Sequence, residues 1–402
     1  MRGAGGGGGW SPDALARHYS RFRVRERLLL TGHSHQAWPD CGFDAQARAW
    51  LDAAELVDDK WERAFAQADA VRRGFARLLD DAPQRIALGA NTHELVVSFL
   101  SALPLRERPR LVTTDGEFHT IRRQVDRLEE AGLEVVRVPA RSVRDIAADL
   151  AAALTLRTAA VLVSAVLFET GEIVPGLADV LAACRRGGAE LLVDAYHALN
   201  VVPFSLRANG LSEAYVVGGG YKYCQLGEGN CFLRMPADCA LRPVITGWYS
   251  EFADLADTQA NGSVRYGAGP ARFAGATYDP TSHYRAAAVF AFFEAQGLTP
   301  TLLREVSQHQ VGLLATRFDA LDADPRVLTR DRATPLDAIG GFLALRTPHA
   351  AALCRTLHDR GVITDYRGDV LRLGPAPYLS DAQLTAAMDA VGEAVRTLPA
   401  SR

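Results

Sequence analysis

The sequence predicts an α/β fold, with a mainly parallel β-sheet covered by helices on both faces and followed by a smaller α+β region. Between residues 86 and 235, short apolar runs rich in β-branched residues alternate with helical patterns. Such alternation is typical of parallel sheets whose strands are joined by crossover helices. After about residue 284 the pattern becomes helical and then mixed, which indicates a separate terminal unit.

The elements of the central block follow in order. Five apolar runs are the predicted strands: "RLVTT" (110–114), "LEVVRV" (133–138), "AAVLVSAV" (159–166), "AELLVDA" (189–195) and "EAYVVGG" (213–219). The helical patterns beside them are "HELVVSFLSAL", "IRRQVDRLEEAG", "VRDIAADLAAAL" and "GLADVLAACRRGG". The glycines that end two of these patterns predict helix C-caps.

Two regions flank this block. Residues 44–80 form a helix-like stretch, and the segment after 284 holds helical patterns, "GGFLALRT", a helix at 349–360, a short strand near "VLRLGP" and a last helix at 380–397. We therefore expect an N-terminal arm with part of the small domain at 1–60, a large domain at 61–284 and a small domain at 285–402.

The bulk composition is that of a soluble globular protein. Hydrophobic residues make up 48% and charged residues 23% of the 402 residues, with a net charge of −3. Because the arginines are interspersed with acids, we expect neither nucleic-acid binding nor membrane association. The start "MRGAGGGGGW" lacks the apolar core of a signal peptide, and the six cysteines match no zinc spacing. We expect a cytoplasmic protein with free thiols and no metal site.

The stretch "GGGYKYC" holds Lys222, one of only two lysines in a chain with 44 basic residues. Arginine is never deprotonated in proteins, whereas a lysine amine can be tuned to attack a carbonyl. A lysine just after a strand end, among glycines, therefore points to an electrophile held in a cleft. The other lysine, Lys60, lies among charged residues on a predicted helix and is interpreted as part of a solvated, ion-paired face.

Asp194 ends the strand before this stretch, and His197 follows it closely. Carboxyl ends of strands in such sheets carry ligand-contacting residues. Taken alone, Asp194 is better explained by a cap or turn after a strand, and the alternative for His197 is a satisfied, partly buried histidine. Together with Lys222, the carboxylate fits pyridoxal 5′-phosphate (PLP), whose pyridine nitrogen needs an acidic partner.

A phosphate site is predicted at the helix start in "LGANTHELVVSFL". Asn91 or Thr92 can cap this helix, and the free N–H groups of a helix N-terminus bind phosphate. Phe118, in "TTDGEFHT", follows a strand end and has the shape to stack on a flat ring, although a core or loop phenylalanine is the alternative.

These segments resemble the PLP-dependent kynureninases, of the class V branch of fold type I. The resemblance rests on "VDAYHALNVVPFSL", "GGGYKYCQLGEGNCFL", "TGWYSEF", "RFAGATYDPTSHYRA" and "GVITDYRGDVLRLGPAPYLS", and it covers most of the chain from about residue 28. It implies a transferase fold with a large domain built on a mainly parallel seven-stranded sheet, a small α+β C-terminal domain and a homodimer with the active site at the subunit interface.

The resemblance also implies roles residue by residue. Lys222 binds the cofactor covalently and shuttles protons, Asp194 pairs with the pyridine nitrogen, and His197 orients that region. Tyr221 hydrogen-bonds the phosphate and assists proton transfer. The remaining candidates are Asn91 and Thr92 for the phosphate, Phe118 for the ring, Trp248 and Thr277 reaching the phosphate of the partner subunit's site, Arg372 for the substrate α-carboxylate, and Ser34, His35 and Tyr249 for the substrate.

Departures from the family pattern leave the substrate open. "LTGHSHQAWPD" replaces an Asp-Gly-Asn-Ser-Leu-Gly type of motif, and Ile121 stands where a cofactor-binding aspartate is usual. His33 and His35 either contact a substrate group in a polar pocket or face solvent from a loop. The expected reaction is hydrolytic cleavage of the Cβ–Cγ bond of a kynurenine-like 4-oxo amino acid. The alternatives are elimination, C–S cleavage, epimerisation, transamination or a non-catalytic binding module.

Overall fold

The computed structural model describes residues 10–254 and 263–398. Its helices are α1 (Pro12–Ala16), α2 (Cys41–Leu56), α3 (Lys60–Leu79), α4 (Thr92–Ala102), α5 (His119–Glu130), α6 (Ile146–Ala152), α7 (Leu177–Gly187), α8 (Thr281–Ala295), α9 (Pro300–Ala320), α10 (Ala350–Asp359) and α11 (Asp381–Val395). Its strands are β1 (Leu28–Leu29), β2 (Ile86–Gly89), β3 (Arg110–Thr114), β4 (Glu134–Val138), β5 (Thr158–Ser164), β6 (Glu190–Asp194), β7 (Tyr215–Gly219), β8 (Cys231–Arg234), β9 (Leu343–Arg346), β10 (Val362–Ile363), β11 (Asp365–Arg367) and β12 (Val370–Leu373).

Seven strands form the central sheet, in the order β2-β8-β7-β6-β5-β3-β4. Strands β3 to β7 are mutually parallel, and β8 is antiparallel to both of its neighbours. The predicted α/β fold with a mainly parallel seven-stranded sheet is therefore confirmed. The five predicted runs correspond to β3 to β7, whereas the short strand β8 was absent from the predicted set because it follows a glycine-rich turn.

Both faces of this sheet are buried. Along β5, Val161 and Val163 belong to one hydrophobic cluster, while Ala160 and Leu162 belong to a second cluster on the opposite face. Successive side chains of a strand point to opposite faces, so a strand covered on both sides needs an unbroken apolar run. This requirement explains the continuous apolar segments in the sequence.

The C-terminal part carries a second, three-stranded antiparallel sheet in the order β11-β12-β9. The N-terminal segment pairs with this part of the chain, since β1 and β10 form a separate two-stranded parallel sheet and Thr31 forms an isolated bridge with Gly374. Helices α2 and α3 pack against α8. These pairings accord with an N-terminal arm that contributes to the small domain, although the residue boundaries of the domains stay a prediction.

In the described residues, no single helix has both the length and the apolar character to cross a membrane. The bent pair α8 and α9 passes that test only when the two helices are taken together across an 83° bend.

Candidate active site

A cleft of about 230 Å³ opens at the edge of the central sheet where the parallel strands end. Seven of the residues predicted from the sequence line it: Asn91, Thr92, Phe118, Asp194, His197, Tyr221 and Lys222. A larger cavity of about 490 Å³ lies beside α9 and the start of α11, but its lining includes no lysine. The smaller cleft is therefore the candidate active site.

Lys222 lies at the base of this cleft and is only 4% exposed. It comes three residues after Gly219, the last residue of β7, which is packed so closely that a Cβ there would lie 2.5 Å from the Tyr196 hydroxyl. Burial lowers the pKa of Lys222 to about 7, an effect that the positive charge of Arg372 reinforces and the negative charge of Asp194 opposes. Near neutral pH a large fraction of the amine is therefore uncharged and nucleophilic.

Asp194 and His197 surround this amine. Lys222 Nζ lies 2.6 Å from His197 Nε2, within hydrogen-bonding distance. Burial, together with the charge of Lys222, lowers the pKa of His197 well below its ordinary value, so the imidazole is neutral. Asp194 Oδ1 accepts the backbone N–H of Tyr196 at 2.9 Å, while burial raises the pKa of its carboxyl.

The amino end of α4 forms another wall. Asn91 is the N-cap, since its side-chain oxygen accepts the backbone N–H of Glu94 at 2.9 Å and its amide donates to the Glu94 carboxylate at 2.8 Å. The first N–H groups of an α-helix lack acceptors within the helix and carry its positive dipole end. This wall is therefore suited to an anion such as a phosphate group.

Aromatic side chains complete the cleft. The Phe118 ring centroid lies 5.3 Å from Lys222 Nζ, and the Phe118 ring meets those of His197 and Phe168 edge to face. Tyr221 lies on the other side, where His35 stacks on it with ring centroids 4.7 Å apart. Burial raises the pKa of Tyr221 to about 12, so its hydroxyl keeps its proton at neutral pH.

The structure adds a partner for Arg372 that the sequence did not reveal. The guanidinium of this arginine donates to both carboxylate oxygens of Asp365, through Nε at 3.0 Å and Nη2 at 2.6 Å. Its Nη1 donates to the carbonyl oxygen of Phe168 at 2.6 Å. Arg372 thus lies buried in an internal ion pair, and its predicted role toward a substrate carboxylate has to be fulfilled by its remaining N–H groups.

The two N-terminal histidines differ sharply. His33 is fully buried and donates to Asp365 from Nε2 at 2.7 Å, so the solvent-facing alternative is wrong for this residue. The His35 side chain is 60% exposed and lies at the mouth of the cleft, where its Nε2 is 3.6 Å from the Glu228 carboxylate. Ser34 is half-buried beside it, with Oγ 3.2 Å from His35 Nδ1.

Three further predicted residues, Trp248, Tyr249 and Thr277, are not among the residues that line the cleft. Trp248 and Tyr249 belong to a surface aromatic group with ring centroids 4.4 Å apart, and Trp248 is 46% exposed. Thr277 is also exposed. Their predicted contacts with the cofactor of a partner subunit and with the substrate stay predictions.

Glu117 was missing from the predicted site. This buried carboxylate accepts hydrogen bonds from the hydroxyls of Thr114 at 2.7 Å and Ser164 at 2.6 Å. Burial raises the pKa of Glu117 to about 7, and the neighbouring charge of Asp194 adds to the effect. Its place between a strand end and Phe118 was the available signal, but a single acidic residue in a turn is too common to be singled out.

In the parts of the chain that the structure describes, no group of three or more histidines, cysteines or acidic residues could hold a metal ion.

The sequence of this chain is similar to those of kynureninases and of an aminotransferase. Residues 303–391 match the family model of the kynureninase C-terminal domain. A kynureninase of Xanthomonas oryzae is 27% identical over 337 residues, which cover 76% of this chain and 75% of that protein. An uncharacterized aminotransferase of Bacillus subtilis is 22% identical over 379 residues, covering 91% of this chain and 96% of that protein.

A solved structure shares the architecture. A mutant of the enzyme C-DES, with glycine covalently linked to its PLP cofactor, superposes with a TM-score of 0.81 at 18% identity, covering 94% of this chain and 98% of that chain. The chain is a kynureninase-like, PLP-dependent enzyme of class V. Its fold is PLP-dependent fold type I.

The cofactor prediction is confirmed. Among the similar structures, the C-DES mutant carries PLP. The cleft fits that group in its donor set. It offers one amine of lowered pKa at Lys222, one buried carboxylate at Asp194, a flat aromatic ring at Phe118 and a helix start at Thr92. Lys60, the other lysine, begins α3 and donates to the carbonyl oxygen of Val57 at 2.9 Å, away from the cleft.

Proposed function

We propose that this enzyme hydrolyses the Cβ–Cγ bond of L-kynurenine or a kynurenine-like 4-oxo amino acid, releasing alanine and an aryl acid. The observation that carries the proposal is the placement of Lys222. Its buried Nζ lies 2.6 Å from His197 Nε2, and its pKa is raised by the charge of Asp194 and lowered by that of Arg372. The choice of a kynurenine-like substrate is supported by the kynureninase C-terminal match, whose range 303–391 includes Arg372.

The side chains divide the work by position. PLP, when bound, would supply an electron-accepting ring that withdraws charge from the substrate α-carbon. Lys222 would hold the cofactor and then move the proton at that carbon, for which its lowered pKa is suited. Asp194 would keep a proton on the ring nitrogen, and the α4 start with Tyr221 would hold the phosphate. Arg372 would receive the α-carboxylate, which fixes the orientation of the bond to be broken.

The bond changes balance with one water molecule. Water adds to the γ-carbonyl carbon, the Cβ–Cγ bond breaks, and the aryl carboxylic acid leaves with the added oxygen. The Cβ atom gains a proton and becomes the methyl group of alanine. Tyr221, whose hydroxyl is protonated at neutral pH, and Lys222 both line the cleft and can supply this proton.

The cysteines argue against one alternative, C–S cleavage by a nucleophilic thiolate. Cys224 is 1% exposed and Cys231 3% exposed, and burial raises the pKa of both thiols well above the ordinary value. A thiolate nucleophile needs a lowered pKa and access to the substrate. Elimination, epimerisation and transamination use the same amine and carboxylate, so they remain the alternatives that an assay must separate.

All six cysteines are unpaired, which supports a cytoplasmic location.

We also propose a homodimer whose interface includes the exposed apolar surface around Trp248. Phe252 and Trp248 are each 46% exposed, Ile245 is 61% exposed and Val244 is 82% exposed. The rings of Trp248 and Phe252 are in contact, with centroids 5.6 Å apart, and exposed apolar groups of this kind mark protein-interaction surfaces. This placement leaves Trp248 and Thr277 free to reach a partner subunit's cofactor, as the resemblance implies.

The test combines cofactor loading with a substrate screen. The protein loaded with PLP should absorb as a lysine-bound chromophore, and borohydride reduction followed by peptide mass analysis should place the label on Lys222. Lys222→Ala should abolish the label, whereas Lys60→Ala, at the chain's other lysine, should leave it unchanged. L-Kynurenine and 3-hydroxykynurenine should then yield an anthranilate and alanine. A labelled protein that releases neither product would overturn the substrate proposal alone.

A further inference from the structure

Three buried polar side chains from distant parts of the chain form one cluster, His33, Asp365 and Arg372, which we call the carboxylate cluster. His33 is 0% and Arg372 is 2% exposed. Asp365 is the central member, because it accepts from His33 Nε2 at 2.7 Å and from Arg372 Nε and Nη2 at 3.0 and 2.6 Å. Hydrogen bonds between charged partners in such surroundings are strong and strongly oriented.

The backbone places these residues with little freedom. Asp365 and Arg372 are directly opposite each other on the antiparallel strands β11 and β12. The N-terminal segment is tied to the end of β12, since Gly32 donates its N–H to the carbonyl oxygen of Gly374 at 2.7 Å. A Cβ on Gly374 would lie 2.2 Å from His33 Nδ1, so glycine is needed there for His33 to approach.

The protonation states of the cluster are fixed by its surroundings. Burial lowers the pKa of His33 to about 4, so the imidazole is neutral. Its Nδ1 is buried with no hydrogen-bond partner among the described residues, which leaves Nε2 as the nitrogen that carries the proton. Burial alone would raise the pKa of Asp365, but the hydrogen bonds from His33 and Arg372 hold it well below its usual range.

The donor count of Arg372 shows what the cluster leaves available. A guanidinium has five N–H donors. Two of them bind Asp365 and one binds the carbonyl oxygen of Phe168, which leaves one N–H on each terminal nitrogen. The cluster also lies near the cleft, because Arg372 binds Phe168, whose ring centroid is 5.3 Å from that of the cleft residue Phe118. Two N–H groups on neighbouring nitrogens suit a carboxylate.

We propose that His33 and Asp365 are positioning residues that hold Arg372 in one orientation, with its two remaining N–H groups available to the α-carboxylate of the amino-acid substrate. This inference rests on the proposed function only in taking an α-amino acid as the ligand. It gives His33 a role in the site without contact with the substrate. His33 packs against Phe342 at 4.7 Å between ring centroids, and Arg372 lies over the same ring, so the orientation is also supported by packing.

The test measures binding rather than turnover. L-Alanine is titrated into the PLP-loaded protein, and its Kd is read from the change in cofactor absorbance and, independently, by calorimetry. His33→Phe and His33→Asn both remove the contact with Asp365. Phenylalanine fills the space of the imidazole, whereas asparagine is smaller and leaves part of that space empty. Each should raise the Kd about tenfold, the equivalent of one hydrogen bond to a charged group, with PLP affinity unchanged.

Two further variants separate positioning from a general structural defect. His33→Gln places a side-chain N–H near the position of Nε2 and should bring the Kd back to within about threefold of the original protein. His283→Phe replaces another buried histidine that is not part of the cleft lining, and it should change neither constant. An unchanged Kd in His33→Phe and His33→Asn would overturn the proposal, as would an equal loss of PLP affinity or the absence of any response to L-alanine. Failure to hydrolyse kynurenine would not, because alanine binding is measured separately.

Discussion

The lowered pKa of Lys222 predicts how the rate of PLP capture depends on pH. With a pKa of about 7, the uncharged fraction of the amine is roughly 10% at pH 6 and roughly 90% at pH 8. We therefore expect the rate constant for capture to rise about ninefold over this range and then to level off. A lysine with an ordinary pKa of about 10.4 would instead gain about tenfold per pH unit without a plateau.

The assay mixes cofactor-free protein with PLP in a stopped-flow instrument and follows the absorbance of the lysine-bound chromophore. PLP itself titrates in this range, so the same series is run with Nα-acetyl-lysine, and each of its rates is divided by the uncharged fraction of its own amine. This quotient carries the pH dependence of PLP alone, and each protein rate is divided by it. Lys222→Ala should show no fast phase. Lys60→Ala should reproduce the original profile, because Lys60 lies at the start of α3.

Asp194→Asn provides the sharper perturbation. The negative charge of Asp194 raises the pKa of Lys222, so its removal should lower that pKa further and move the midpoint of the profile below pH 7. At pH 6 the capture rate of the variant should be a larger fraction of its own plateau rate than it is in the original protein. The affinity of the variant for PLP should nevertheless be lower. A midpoint that moves upward, or a rate that climbs tenfold per unit to pH 10 in either protein, would refute the reasoning.

Three other substitutions test separate parts of the site. Asn91→Ala removes the N-cap of α4 and should reduce the free energy of unfolding by about 1 kcal/mol, measured by urea denaturation, and also weaken PLP binding. Trp248→Ala should lower both the dimer fraction in light scattering and PLP affinity, and a dimer with intact affinity would contradict its placement at a partner's site. Cys224→Ala should leave kcat/KM within about threefold, because the buried thiol is inaccessible; a loss of several hundredfold would favour thiol chemistry instead.

The fold was predictable because its signals are local. Strands β3 to β7 appear as apolar runs, since a parallel strand covered on both faces must be apolar throughout. Strand β8 has only four residues, "CFLR", and its antiparallel pairing with β2 and β7 depends on contacts distant in sequence. Neither its length nor its composition distinguishes it from a loop.

The floor of the cleft was predictable for a similar reason. Asp194 ends β6 and Lys222 follows the neighbouring strand β7, so the topology of a parallel sheet brings them to one edge. Residue type and position alone narrowed the cap of α4 to Asn91 or Thr92, and the structure shows that Asn91 is the cap. These inferences require only the order of strands and the chemistry of single side chains.

The carboxylate cluster could not be predicted in this way. His33 and Asp365 are separated by 332 positions, and their contact depends on the pairing of β1 with β10, two strands far apart in the chain. The burial of His33 is likewise a tertiary property. A histidine in a glycine-containing loop has no local feature that distinguishes a solvent-facing side chain from a fully buried one.

The charges around Lys222 suit both tasks that a PLP-dependent lysine has to perform. Before substrate binds, burial is the largest influence on its pKa, with Arg372 and Arg367 lowering it further, so the amine is uncharged enough to attack the cofactor. Asp365 opposes those arginines and keeps the cluster close to electrically neutral. An α-carboxylate bound to Arg372 would add a negative charge, which raises the pKa of the amine. Substrate binding would thus make Lys222 a stronger base at the stage when a proton must be removed from the α-carbon, so the residue that binds the carboxylate also adjusts the base.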